Sequence, residues 1–106
     1  MDTIKDLQRE IHQCAIDHGW WEDQRPFAEL VALCHSELSE ALEARRAGMA
    51  DHFEFGGKPE GAAIEMADCI IRILDLAEHE GWDMDKAIRE KVEYNKTRPY
   101  KHGKLF

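Results

Sequence analysis

With 106 residues the chain is long enough for one domain, 1–106, with a modest core, and short enough that a second copy helps complete it. Charged side chains make up 34% of the residues and the formal charge is −8, a balance that repels nucleic acid and anionic membrane and argues against a basic DNA-binding surface. No apolar run reaches the length of a membrane span, MDTIKDLQRE is too polar for a signal peptide, and Cys14, Cys34 and Cys69 are odd in number and lie in helical contexts. The expectation is therefore a cytoplasmic protein with reduced thiols and no disulfide framework.

Thr3 with Asp6 three residues later reads as a capping box, and Ile4, Leu7, Ile11, Cys14 and Ala15 follow at helical intervals, so the first helix is predicted to end near Gly19. A tight aromatic connection, WWEDQRP, comes next. From Pro26 or Phe27, Leu30, Leu33, Cys34, Leu38 and Ala41 carry a second helix to Gly48, with Arg45 and Arg46 where cations suit a C-terminal dipole. The segment GMADHFEFGGKPE has the composition of a loop, and Pro59 is expected to start the third helix, which runs to Gly81. Asp83 is the predicted N-cap of a fourth helix that Pro99 stops, and YKHGKLF has no period of its own. No strand alternation of useful length is present. The predicted fold is all-α, a four-helix bundle-like arrangement.

Two acidic quartets interrupt this pattern. At about 100° per residue, Glu37 of ELSE falls on the same line as Leu30, Cys34 and Ala41, and Glu40 falls beside Leu33. The third helix is apolar around most of its circumference, and its polar strip holds Glu65 and Asp68 of EMAD together with Arg72, Asp75 and His79. Acids at this spacing are usually an ordinary solvated surface; an acid centred on an apolar stripe is not. If the second helix packs antiparallel on the third, four carboxylates converge, and desolvation and repulsion raise their pKa values unless a cation compensates. Every candidate ligand is an oxygen donor, with no CxxC, no HExxH and no Glu three residues before a His, which disfavours zinc and di-iron and favours Mg²⁺, with Mn²⁺ as the alternative.

Lys91, Asn95 and Arg98 recur at i, i+4 and i+7 of the fourth helix and form one face that suits phosphate or a base edge, where the bland reading is a solvated surface. Lys101, His102 and Lys104 add positive charge to the C-terminal end. A negative cage and a positive tail together suit a polyphosphate.

These residues resemble the MazG-like all-α nucleoside triphosphate pyrophosphohydrolases, short bacterial and phage type. ELSE and EMAD are similar to that family's ExxE and ExxD motifs, and GWW, HSELSEALEARRAG, EMADCIIRILDLAE and KVEYNKTRPYKHGK are similar in order and spacing over nearly the whole chain. The resemblance implies a MazG-type fold completed by oligomerisation, as homodimer or homotetramer. It also implies Mg²⁺-dependent hydrolysis of a nucleoside triphosphate, a dNTP by expectation, to the monophosphate and pyrophosphate. Glu37, Glu40, Glu65 and Asp68 would be the metal ligands, acting catalytically through metal-bound water, while Lys91, Asn95 and Arg98 would contact the nucleotide. Many family members carry EExxE, whereas Ser36 precedes Glu37 here, so the extra acid is missing. Adjacent tryptophans cannot share a direction, so of Trp20 and Trp21 one packs inward and one offers a stacking surface; Trp21 is assigned to the substrate. His35 and His79 receive no role. Two rival readings come from other classes: a helical dimerisation module with solvated acids, and a non-catalytic sensor of nucleotides or alarmones.

Overall fold

The computed structural model describes residues 3–103 and is predominantly α-helical. The elements in chain order are α1 (Ile4–Asp17), α2 (Phe27–Arg46), β1 (Phe53–Phe55), β2 (Lys58–Glu60), α3 (Ala62–Glu80), α4 (Met84–Lys96) and a 3₁₀ turn (Tyr100–Gly103). Local chemistry sets most of these boundaries. The Asp6 amide donates to Thr3 Oγ1 at 3.0 Å while the Thr3 amide donates to Asp6 Oδ2 at 3.2 Å, closing the capping box of α1. Asp83 Oδ1 accepts from the Lys86 amide at 3.0 Å to start α4, and Gly81, at φ 78°, ends α3 in the left-handed conformation that a helix C-terminus favours. Among the terminal cations, Lys104 and the side chain of His102 lie outside the described residues.

Pro59 does not start α3. FEFGGKPE instead forms a hairpin in which Phe53 pairs with Glu60, Glu54 with Pro59 and Phe55 with Lys58, and α3 begins at Ala62. The reason is the Gly56–Gly57 pair, whose φ values of 58° and 83° supply the two left-handed residues of a two-residue hairpin turn. Pro59 then sits in a two-stranded ribbon, where a residue without an N–H is tolerated. The hairpin returns the chain tightly on itself: Gly61 has φ 113°, and the Ala63 amide donates to the Asp51 carbonyl at 2.8 Å. A side chain at Gly61 would collide with that same carbonyl.

Helix α3 is the centre of the fold, packed on α2 along one side and on α1 along another, while α4 leans chiefly on α1. The buried apolar residues are few: Cys34 and Ala41 from α2, and Cys69, Leu74, Leu76 and Ala77 from α3. Gln8 of α1, only 1% exposed, joins this core as a polar bracket. Its Nε2 donates to Glu78 Oε1 at 2.9 Å and to the Trp82 carbonyl at 2.7 Å, and its Oε1 accepts from the Met84 amide at 3.4 Å. One buried amide thereby ties α1 to the α3–α4 junction, with every polar atom satisfied.

The rest of the apolar stripe is open. Met66, Ile70, Ile71 and Ile73 of α3 and Leu38 and Leu42 of α2 are all exposed. The radius of gyration is 16.4 Å, against about 13 Å for a compact chain of this length. No helix among the described residues is long and apolar enough to cross a membrane.

Candidate metal centre and adjoining cavity

Cys34 faces Cys69, Glu37 faces Asp68, and Glu40 faces Glu65, so residue numbers rise along α2 as they fall along α3 and the two helices are antiparallel. This crossing brings the two acidic quartets together. Glu37, Glu65 and Asp68 each offer a carboxylate oxygen, and the three oxygens lie within 4.8 Å of one another. Glu37 is buried, Glu65 and Asp68 are half-buried, and Glu40, on the exposed rim, reaches the group through Glu65. Three of the four predicted ligands therefore converge directly and the fourth borders them.

The electrostatics follow from crowding acids in a poorly hydrated seam. The Glu65 carboxyl is pushed up from its ordinary 4.5 to about 7, first by desolvation, then by hydrogen bonding to Glu40 and Glu37 that retains a proton, and then by the charges of Glu40 and Asp68. Asp68 is raised as well, by desolvation and then by the charge of Glu37, with Arg72 acting in the opposite direction. Burial, followed by the neighbouring Cys69, holds the Cys34 thiol up and unreactive.

One internal cation answers the acids. Arg72, one turn beyond Asp68, donates from Nε to Glu37 Oε1 at 2.9 Å, with 39% of the Arg72 side chain exposed and 10% of Glu37. A single guanidinium does not neutralise three carboxylates and a fourth at the rim. The donor set fits a hard divalent cation: all oxygens, three from two helices. Glu37, Glu65 and Asp68 are the residues that would hold such a cation, each offering one carboxylate oxygen.

Beside the acids lies a cavity of about 480 Å³, within the range of small-ligand pockets. Glu37, Asp68, Ile71, Arg72 and Asp75 form its wall from α2 and α3, while Ile11, Cys14 and Ala15 of α1 and its C-cap His18 also line it. Trp20 and Arg25, from the α1–α2 connection, complete the lining. The cavity thus joins carboxylates, an apolar floor, an indole and two guanidinium groups.

The two tryptophans divide as adjacent residues must, but Trp21 is the inward one. Its Nε1 donates to Asp75 Oδ1 at 2.9 Å and its ring stacks on His79 with centroids 4.1 Å apart and planes 17° apart. Trp20, 62% exposed, is the indole that lines the cavity. Asp75 Oδ1 also meets His12 Nδ1 at 2.7 Å, so Asp75, His12, Trp21 and His79 form one polar-aromatic cluster that adjoins the cavity through Asp75.

The predicted basic face is only partly helical: α4 ends at Lys96 with Thr97 as its C-cap, so Lys91 and Asn95 lie on the helix and Arg98 stands beyond it. Lys91 Nζ sits 4.8 Å from the centre of the Tyr94 ring and Arg98 Cζ 5.6 Å from it, with Asn95 between them in sequence. None of Lys91, Asn95 and Arg98 lines the cavity. Sequence reading missed Arg72 as the partner of Glu37, His12 as the partner of Asp75, and Gln8; only the first left a usable signal, a cation four residues after Asp68 on the same polar strip.

Comparison with protein-family models, with curated proteins and with solved structures returns no match.

Proposed function

We propose that the protein is a cytoplasmic, Mg²⁺-dependent nucleoside triphosphate pyrophosphohydrolase of MazG-like type, a hydrolase of acid anhydrides that converts a nucleoside triphosphate, preferably a dNTP, to the monophosphate and pyrophosphate. The observation that carries this reading is the convergence of Glu37, Glu65 and Asp68 from two antiparallel helices within 4.8 Å, with Glu37 and Asp68 on the wall of a ligand-sized cavity.

Glu37, Glu65 and Asp68, with Glu40 at the rim, would hold Mg²⁺ or Mn²⁺. Bound there, the cation supplies positive charge against phosphate oxygens and acidifies water near neutral pH. The chain's own contribution is positioning. The apolar floor at Ile11 and Ile71 and the indole of Trp20 offer a surface for a base, and Arg72 and Arg25 place positive charge where a triphosphate would extend from the acids. Lys91, Asn95 and Arg98 remain proposed nucleotide contacts; because they lie off the cavity of one protomer, their role requires closure of α4 or a neighbouring subunit. A homodimer or homotetramer is supported independently by the exposed Met66, Ile70 and Ile73 on α3 and by the expanded radius of gyration.

The direct test is incubation of purified protein with each common NTP and dNTP plus Mg²⁺, with separate detection of pyrophosphate and orthophosphate. Monophosphate and pyrophosphate are the expected products. Orthophosphate with diphosphate would assign a different bond, and no turnover with tight nucleotide binding would favour a sensor.

A further inference from the structure

We propose that Arg72 is a phosphate-binding side chain held in reserve: Glu37 stores its guanidinium until a divalent cation engages that carboxylate, and Arg72 then turns to the phosphate oxygens of the ligand. This inference rests on the metal-dependent nucleotide reading above and assigns a role to a residue outside its ligand set.

Four observations lead to it. Arg72 engages Glu37 through Nε alone, and its terminal nitrogens make no side-chain hydrogen bond among the described residues, so the two-pronged end of the guanidinium is free for another acceptor. The side chain lines the cavity and is 39% exposed, whereas Glu37 is 10% exposed, so the cation is the partner with room to move. Glu37 is also one of the three converging carboxylates, so the same group is claimed by an internal cation and by the candidate ion site. Finally, Asp68 and Arg72 are one helical turn apart on α3, about 6 Å, so a phosphoryl group held by a cation on Asp68 would lie within reach of the guanidinium.

Two cations on one buried carboxylate repel each other, and the singly charged guanidinium, with an exposed route out, is the one displaced. Moving to phosphate restores its ion pair with better geometry, because a phosphoryl group accepts two parallel N–H bonds from an arginine end. Ion binding and phosphate binding thereby become coupled, each favouring the other. The contact also keeps the ligand-free acids from being wholly uncompensated, which explains an arginine inside an acidic site.

The test is ¹H–¹⁵N NMR of the arginine Nε–H signals of the full chain, the Arg72 signal being the one lost in Arg72→Lys. In metal-free protein it is expected to be protected from solvent exchange. Mg²⁺ should shift it and speed its exchange, and an α,β-imido nucleoside triphosphate added with Mg²⁺ should restore protection. If backbone amides around Glu37 and Asp68 respond to Mg²⁺ while the Arg72 signal does not, the arginine is structural and the proposal is overturned with the metal reading intact. If neither responds, both are overturned. A second readout is the sign of the change in Arg72→Gln. Mg²⁺ binding by calorimetry should strengthen several-fold, while binding of the imido analogue should weaken about tenfold or more. Parallel weakening of both, with helical circular dichroism retained, would mark a merely structural residue. Should that variant fail to fold, Arg72→Lys, which keeps the charge and loses the fork, takes its place in the analogue measurement: unchanged analogue affinity would overturn the proposal.

Discussion

The indole of Trp21 lies flat on the imidazole of His79, 4.1 Å between ring centres, while its Nε1–H is donated to Asp75. Stacking and hydrogen bonding together make Trp21 a fastener between the α1–α2 connection and α3, and leave Trp20 to the cavity. Trp21→Phe removes the donor to a half-buried carboxylate and is expected to cost about 1–2 kcal/mol in urea unfolding. Trp20→Ala should leave the unfolding midpoint nearly unchanged and weaken binding of a triphosphate analogue. The reverse pattern would exchange the two roles.

The Glu65 carboxyl titrates near 7 in the fold and near 4.5 when unfolded, so the folded state binds the extra proton across that window. Its contribution is therefore fully present below pH 4.5 and is lost as pH rises through about 7. In a chelator, Glu65→Gln should be less sensitive to pH than the parent over this interval. Mg²⁺ must compete with the proton at pH 5 and not at pH 8, so its upward shift in Tm should be larger at pH 8. Equal shifts in thermal melts at the two pH values would sink this account.

Glu37→Gln keeps an amide oxygen that can still accept from Arg72, while removing one charge from the converging set. The expected result is a loss of pyrophosphate release of about a hundredfold or more, with the helical circular dichroism signal retained. Turnover at the parent's rate would exclude Glu37 as a ligand.

Gly61 combines φ 113° with a backbone so close to Asp51 that no Cβ fits. Gly61→Ala should destabilise the protein by roughly 2 kcal/mol or more, since left-handed strain and a backbone collision add. Gly48, also left-handed at φ 75° but with open space around it, should lose less on the same change. Chemical denaturation of the pair separates collision from strain.

Much of this was legible in the sequence, where one physical rule acted alone. Thr3 with Asp6, Asp83 before α4 and Gly81 after α3 are local devices, and each closes as its chemistry dictates. Glu37 was legible as a candidate site residue because it broke an apolar stripe, whereas the antiparallel α2–α3 packing entered the sequence reading only as a condition and is supplied by the fold. Pro59 misled because two rules competed: proline suits a first helical turn, but Gly56–Gly57 just before it closes a hairpin, and the pairing of Glu54 with Pro59 prevailed. The contacts of Gln8, His12 and Trp21 span more than 50 residues of chain and depend on which helix lies beside α1, which no local pattern encodes.

On the proposed self-association, the uncovered isoleucines of α3 would make dilution a form of denaturant. A protomer that shields Leu74 and Leu76 yet leaves Ile70 and Ile73 wet keeps apolar surface that a second copy would cover. Its melting point should climb as the solution becomes more concentrated, and a scan repeated across a hundredfold range of protein, followed by light scattering, would record that climb.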